Sequence, residues 1–137
     1  MVSDSCSKAT VLVVDDDALT RELLARLLQA GGFDVIATPT GDQALLILFH
    51  HGQEIDWLVS KANLPGLVCG WILADEYHEH HASRPALLLS TLDPADKPSA
   101  NAVIIPPAAP MRILEALQAL TSPEPAQVLQ FPTTKAA

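Results

Sequence analysis

The sequence has 137 residues and 49% of them are hydrophobic, which is enough for the core of one domain. Its formal net charge of −8 excludes nucleic acid and anionic membrane surfaces as expected direct partners, because both carry negative charge themselves. The first eight residues are mostly polar and no apolar run is long enough to span a bilayer, so we expect neither a signal peptide nor a membrane segment. The two cysteines, Cys6 and Cys69, predict free thiols in a cytoplasmic protein.

The first predicted strand ends in three consecutive carboxylates. Residues 11–14 form a short apolar run, typical of a strand that is buried on both faces of a parallel sheet. Asp15, Asp16 and Asp17 follow it directly. Ligands bind at the carboxyl ends of the strands in open parallel sheets. Because the three acids repel one another, we expect the fold to hold them for a cation, for a partner or for the start of the next helix.

Helices and strands then alternate along the chain. Asp17 can cap a first helix with a leucine-rich stripe, which the glycine pair that begins at Gly31 ends. Apolar patterning predicts strands over residues 33–38, 55–60, 86–90 and 102–105, helices over residues 42–51 and 71–81, and a last helix that begins near Pro110. This alternation predicts a parallel sheet with helices on both faces. Pro94 and Pro98 leave little room for a full helix between the fourth and fifth strands.

The predicted elements occupy one continuous domain. We expect this domain over residues 9–121, a flexible tail over residues 1–8 and a disordered, proline-rich tail over residues 122–137. The second tail has few apolar side chains, and Val128, Leu129 and Phe131 are the ones that could dock, at a site that the sequence does not identify.

Four short motifs resemble those of the receiver domain of bacterial two-component response regulators. They are Val-Val-Asp-Asp at residues 13–16, Gly-Phe-Asp-Val at 32–35, Thr-Gly-Asp-Gln-Ala-Leu at 40–45 and Asn-Leu-Pro-Gly at 63–66. The resemblance covers residues 9 to 121 in order and spacing. It implies a flavodoxin-like α/β fold, which is a doubly wound five-stranded parallel sheet with strand order 2-1-3-4-5.

The resemblance also implies the residues of a phosphorylation site. In that family an acidic pair holds Mg²⁺, and an aspartate that ends the third strand takes a phosphoryl group from a histidine kinase. A hydroxyl that ends the fourth strand and a lysine that ends the fifth contact that group. The acidic pair is present as Asp15 and Asp16, and the hydroxyl is present as Ser90, with Thr91 beside it.

Two positions depart from the family pattern. The phosphoacceptor position, two residues before Asn63, is Lys61, and the position of the fifth-strand lysine is Pro106. An acyl phosphate forms on a carboxylate, and an ammonium cannot take that role. Mg²⁺ prefers oxygen ligands, and a lysine charge at ~4 Å with an effective dielectric constant of about 20 repels a divalent ion by several kcal/mol. We therefore expect no cofactor and no phosphoryl transfer.

The same departure predicts an ion pair. Lys61 can reach Asp15, Asp16 or both and take the place of the metal; the alternative is that it points to solvent and that the acids are hydrated. Asp56 is no substitute phosphoacceptor, because it lies five residues earlier in the same predicted strand, about 16 Å away at ~3.3 Å per residue.

The region between Ser90 and Pro106, the histidines and Cys69 are not expected to form further functional sites. Ser90 and Pro106 are only 16 positions apart, so the family's fourth helix, part of the surface that changes on phosphorylation, is expected to be short or missing. His78 and His81 could share a helix face and bind a metal, but histidine is favoured at helix C-termini anyway. Cys69 is interpreted as an idle thiol.

The sequence thus predicts a stand-alone, degenerate receiver domain without enzymatic activity. Its expected role is to bind a sensor histidine kinase or another two-component protein, through a surface that includes the first helix. Two alternatives stay open: a phosphorylatable receiver with a Mg²⁺ site, if the register at Lys61 is wrong, and a small-ligand sensor that uses the strand-end crevice. A homodimer also stays open.

Overall fold

Five parallel strands form one sheet, which helices flank on both faces. The computed structural model describes residues 9–91, 102–106 and 110–121. The strands are β1 (Thr10–Val14), β2 (Asp34–Thr38), β3 (Trp57–Lys61), β4 (Ala86–Leu89) and β5 (Ala102–Ile105). The described helices are α1 (Ala18–Ala30), α2 (Gly41–His51), α3 (Gly70–His80) and α4 (Pro110–Thr121), and a 3-10 turn (Gly52–Glu54) follows α2.

The strand order is β2-β1-β3-β4-β5, with every neighbouring pair parallel. This confirms the predicted flavodoxin-like fold. The region between β4 and β5, where a short or missing helix is predicted, lies outside the described residues, as do both predicted tails. Within the described ranges, no helix combines the length and the apolar character that a membrane crossing requires.

Strand β1 is an interior strand of the sheet, between β2 and β3, and its apolar side chains are fully buried. Leu12 and Val14 point into the core under α2 and α3, while Val11 and Val13 point into the core under α1 and α4. A strand covered on both faces has to be apolar at every position, which explains why the sequence shows a continuous run rather than an alternating pattern.

Helix α1 buries a narrower face than its leucine content predicts. Leu24 and Leu28 are buried against the sheet, whereas Leu19 and Leu23 are 79% and 52% exposed. The leucine-rich stripe predicted from the sequence thus contains both buried and exposed leucines. The sheet covers only one row of side chains at i, i+4 spacing, and the two exposed leucines form the next row around the helix.

The loop between β3 and α3 is fixed against the sheet. The Ala62 amide donates to the Leu89 carbonyl (2.9 Å), and the Gly70 amide donates to the Ala62 carbonyl (2.9 Å). A Cβ at Gly70 would collide with the Lys61 carbonyl, so only glycine permits this close approach. The loop therefore holds the residues at the end of β3 in a defined position.

Candidate functional site

The carboxyl ends of β1, β3 and β4 enclose a crevice of about 260 Å³. The parallel register places Val14 of β1 opposite Ser60 of β3, so the acids that follow β1 lie beside the last residue of β3. The crevice is lined by Asp15, Asp17, Thr20, Lys61, Asn63, Leu89, Ser90 and Thr91. The structure thus brings together five of the residues predicted from the sequence, namely Asp15, Lys61, Asn63, Ser90 and Thr91.

Lys61 is the last residue of β3, and its ammonium forms an ion pair across the crevice. The distance from Lys61 Nζ to Asp16 Oδ1 is 3.0 Å, with 40% and 35% of the two side chains exposed. This hydrogen bond raises the pKa of Lys61, and the charges of Asp15 and Asp17 act in the same direction. The predicted ion pair is therefore present and has Asp16 as its partner, while Asp15 acts on Lys61 only over a longer distance.

Asp15 is the most enclosed acid of the three. Only 3% of the residue is exposed, and its Oδ1 accepts a hydrogen bond from the Asp17 amide at 2.8 Å. Burial raises the pKa of this carboxyl, against the opposing effects of that hydrogen bond and of the Lys61 charge. A buried carboxylate with a raised pKa holds its negative charge at a cost in free energy, so a nearby cation is favoured.

Asp17 joins the acidic cluster to α1. Its side chain accepts hydrogen bonds from the Thr20 amide (2.9 Å) and from the Thr20 hydroxyl (2.6 Å), which is the helix cap that the sequence predicts. These bonds lower the pKa of Asp17. Asp17 is thus engaged at the start of α1 and is not the acid that pairs with Lys61.

Arg21 is a further residue of the site that the motifs in the sequence did not predict. Its Nη1 donates to the Asp15 carbonyl oxygen at 2.8 Å, so the side chain ties the first turn of α1 to the end of β1. A signal was present in the sequence, because Arg21 lies one helical turn after the capping residue Asp17 and on the side of the acids. The contact fixes α1 relative to the crevice.

The end of β5 contributes no charge to the crevice. Ile105, the last residue of β5, is buried in the core, and the Pro106 that follows is exposed. The Ile105 carbonyl accepts a hydrogen bond from the Ser90 amide at 3.1 Å, which places the Ser90 backbone beside this strand end. In the part of the chain that the structure describes, Lys61 is therefore the cation that lines the crevice.

Asp56 and the histidines near the end of α3 do not line the crevice. Asp56 precedes β3 at the opposite end of the sheet, where its Oδ2 accepts a hydrogen bond from the Thr10 amide at 2.8 Å. His78 Nε2 is buried without a hydrogen-bond partner among the described residues, and His81 Nε2 lies 3.1 Å from the Gly52 carbonyl oxygen. No group of three or more histidine, cysteine, aspartate or glutamate side chains within residues 9–91, 102–106 and 110–121 is arranged to hold a metal.

Comparisons with known proteins point to one family. A family model described as the response regulator receiver domain matches residues 11–109. The two-component response regulator-like protein APRR5 of Arabidopsis thaliana is 31% identical over 85 residues, which are 61% of this chain and 15% of that protein. The transcriptional regulatory protein AruR of Pseudomonas aeruginosa is 41% identical over 59 residues, which are 41% of this chain and 24% of that protein. The chain thus spans less than a quarter of the length of these curated relatives.

The solved structures agree on the fold. A response regulator receiver protein from Sinorhizobium medicae superposes with a TM-score of 0.70 at 22% sequence identity. The superposition covers 82% of this chain and 95% of that chain. At this identity the likeness establishes the arrangement of strands and helices.

Proposed function

The chain belongs to the response regulator receiver family, and on that premise we propose that it acts in two-component signal transduction by binding a protein partner, without phosphorylation of an aspartate of its own. The proposed partner is a sensor histidine kinase or another two-component protein in the cytoplasm. In this role the chain needs neither a resident cofactor nor an enzymatic activity of its own.

The observation that carries the proposal is the ion pair at the end of β3. A phosphorylatable receiver needs a carboxylate nucleophile where this chain has Lys61. Lys61 pairs with Leu89 in the sheet register, so it occupies the strand end itself and not a neighbouring position. Its ammonium lies on Asp16, one of the two acids expected to hold Mg²⁺. The Lys61 ammonium thus balances acidic charge that a metal ion would otherwise balance. This ion pair supports a site that does not switch between a phosphorylated and an unphosphorylated state.

Helix α1 supplies the proposed docking surface. Leu19 and Leu23 lie one turn apart on its exposed side, and exposed leucines at this spacing suit an apolar contact with a partner helix. Arg21 holds the helix at a fixed position beside the acidic crevice. A partner that docks on α1 would therefore meet the apolar row and the acids together, which provides both an apolar contact and a charge pattern.

We expect the double variant L19Q/L23Q to bind its kinase at least about tenfold more weakly, since each buried anchor side chain contributes about 1–2 kcal/mol to binding. The measurement is calorimetric titration against a panel of purified histidine kinase dimerisation domains from the source organism, with the wild-type chain identifying the binder. The matched control is L46Q/F49Q on α2, where the side chains are 59% and 66% exposed. Equal weakening by both double variants, or none by the first, would contradict docking through α1.

A further inference from the structure

A second cavity lies at the opposite end of the sheet from the acidic crevice. Its volume is about 630 Å³, and it is open to solvent on one side. Ala9 and Thr121, the first and the last residue that the structure describes, both border it. Ala9 precedes β1, and Thr121 ends α4. Its walls include Trp57, Arg84, Pro85 and Leu120. Thr121, the last residue of α4, therefore lies at the rim of this cavity.

Arg84 carries a positive charge that the structure holds in a fixed place on this wall. Its guanidinium carbon lies 5.2 Å from the centre of the Trp57 ring, and its Nη1 donates to the Asp56 carbonyl oxygen at 3.0 Å. The Asp56 carboxylate is 3.6 Å from the same nitrogen and also accepts the Thr10 amide. With 39% of its side chain exposed, Arg84 can still bind a second carboxylate from the cavity side.

We propose that the segment following Thr121 crosses this cavity, with the Glu124 carboxylate on the Arg84 guanidinium and apolar side chains from residues 128–131 against the cavity wall. Glu124 is three residues beyond Thr121, a reach of about 10 Å at ~3.3 Å per residue. Arg84 and Thr121 border the same cavity, so this reach suffices for contact.

The composition of the segment fits such a contact. Pro123 and Pro125 flank Glu124, and prolines restrict the free chain, so less conformational entropy is lost when the segment is held. Val128, Leu129 and Phe131 are its large apolar side chains, and Trp57, Pro85 and Leu120 offer apolar surface. This contact would leave the acidic crevice uncovered, because the two sites lie at opposite ends of the strands.

The test uses the full-length chain with one spin label. Cys6 and Cys69 are replaced by serine, a nitroxide is attached through a Q130C substitution, and amide signal intensities are measured by NMR. We expect signal loss that concentrates on Trp57 and Arg84 and spares Ser90 and Thr91 at the other end of the sheet. An added Glu124→Gln substitution should restore most of the lost intensity, whereas the control Lys135→Gln should not.

Every other outcome contradicts the proposal. Uniform intensities would show that the segment has no preferred contact, and loss concentrated elsewhere would show another docking site. Loss that disappears on dilution would assign the contact to a second copy of the chain. Loss at Arg84 that is unchanged by Glu124→Gln would exclude the ion pair. The experiment contains no kinase, so its outcome tests the contact of the C-terminal segment separately from the proposed function.

Discussion

A Lys61→Asp variant is expected to bind Mg²⁺ at millimolar concentration, whereas the wild-type chain is expected to show no response to the metal. In the structure the Lys61 ammonium lies 3.0 Å from Asp16, beside the position that a metal held by the two acids would occupy. A positive charge ~4 Å from a divalent ion costs several kcal/mol at an effective dielectric constant of about 20. The substitution removes this charge and supplies the oxygen ligand that Mg²⁺ prefers.

The measurement is an NMR titration of the amides of Asp15, Lys61 and Ser90 with Mg²⁺, followed by beryllofluoride as a mimic of a bound phosphoryl group. The control is Lys61→Gln, which removes the charge without adding a carboxylate and should bind the metal far more weakly than Lys61→Asp. A wild-type chain that binds Mg²⁺ as tightly as the Lys61→Asp variant would contradict both the expected loss of the metal and the proposed function. It would favour a phosphate-responsive site instead.

The second large effect is expected at alkaline pH and concerns Tyr77. This residue is fully buried, and its hydroxyl donates to the Asp56 carbonyl oxygen at 2.8 Å. Burial raises the pKa of Tyr77 well above its ordinary value, although the Arg84 charge beside it acts in the opposite direction. The folded state therefore keeps the phenol proton to a higher pH than the unfolded state does. The stabilisation is complete below about pH 10 and falls by about 1.4 kcal/mol per pH unit above it.

The Tyr77→Phe variant should lack this part of the alkaline destabilisation. At neutral pH it should lose only about 1 kcal/mol, because Arg84 still donates to the Asp56 carbonyl. Urea unfolding of both proteins between pH 8 and about pH 12 measures the difference, since every other titrating group is common to the two chains. Tyr77 is the single tyrosine, so phenolate absorbance reports its ionisation directly. Ionisation near pH 10 in the folded protein would contradict the expected shift.

Most of the fold follows from local patterns in the sequence. The apolar run before Asp15 identifies the buried strand β1, and Gly31 marks the end of α1. The ion pair between Lys61 and Asp16 was predictable, because parallel strands that neighbour each other bring their carboxyl ends to the same edge of the sheet.

The features that the sequence did not reveal depend on contacts between distant segments. Which leucines of α1 face the sheet depends on how the helix is rotated about its axis, and the spacing of leucines alone leaves several rotations open. The contact of Arg84 with Trp57 and Asp56 joins residues that are 27 and 28 positions apart. Neither residue type nor spacing identifies such a cluster before the strands are placed side by side.

The arrangement of the two ends of β1 also determines how the protein can be attached to a surface. Ala9 lines the cavity and Asp15 lines the acidic crevice, so the two sites are separated along the strand by six residues, about 20 Å at ~3.3 Å per residue. A fluorophore or a biotin linked close to Ala9 or Thr121 would leave α1 and the acids facing the solution. Immobilised in this orientation, the protein could serve as the captured component of a biosensor that screens soluble kinases.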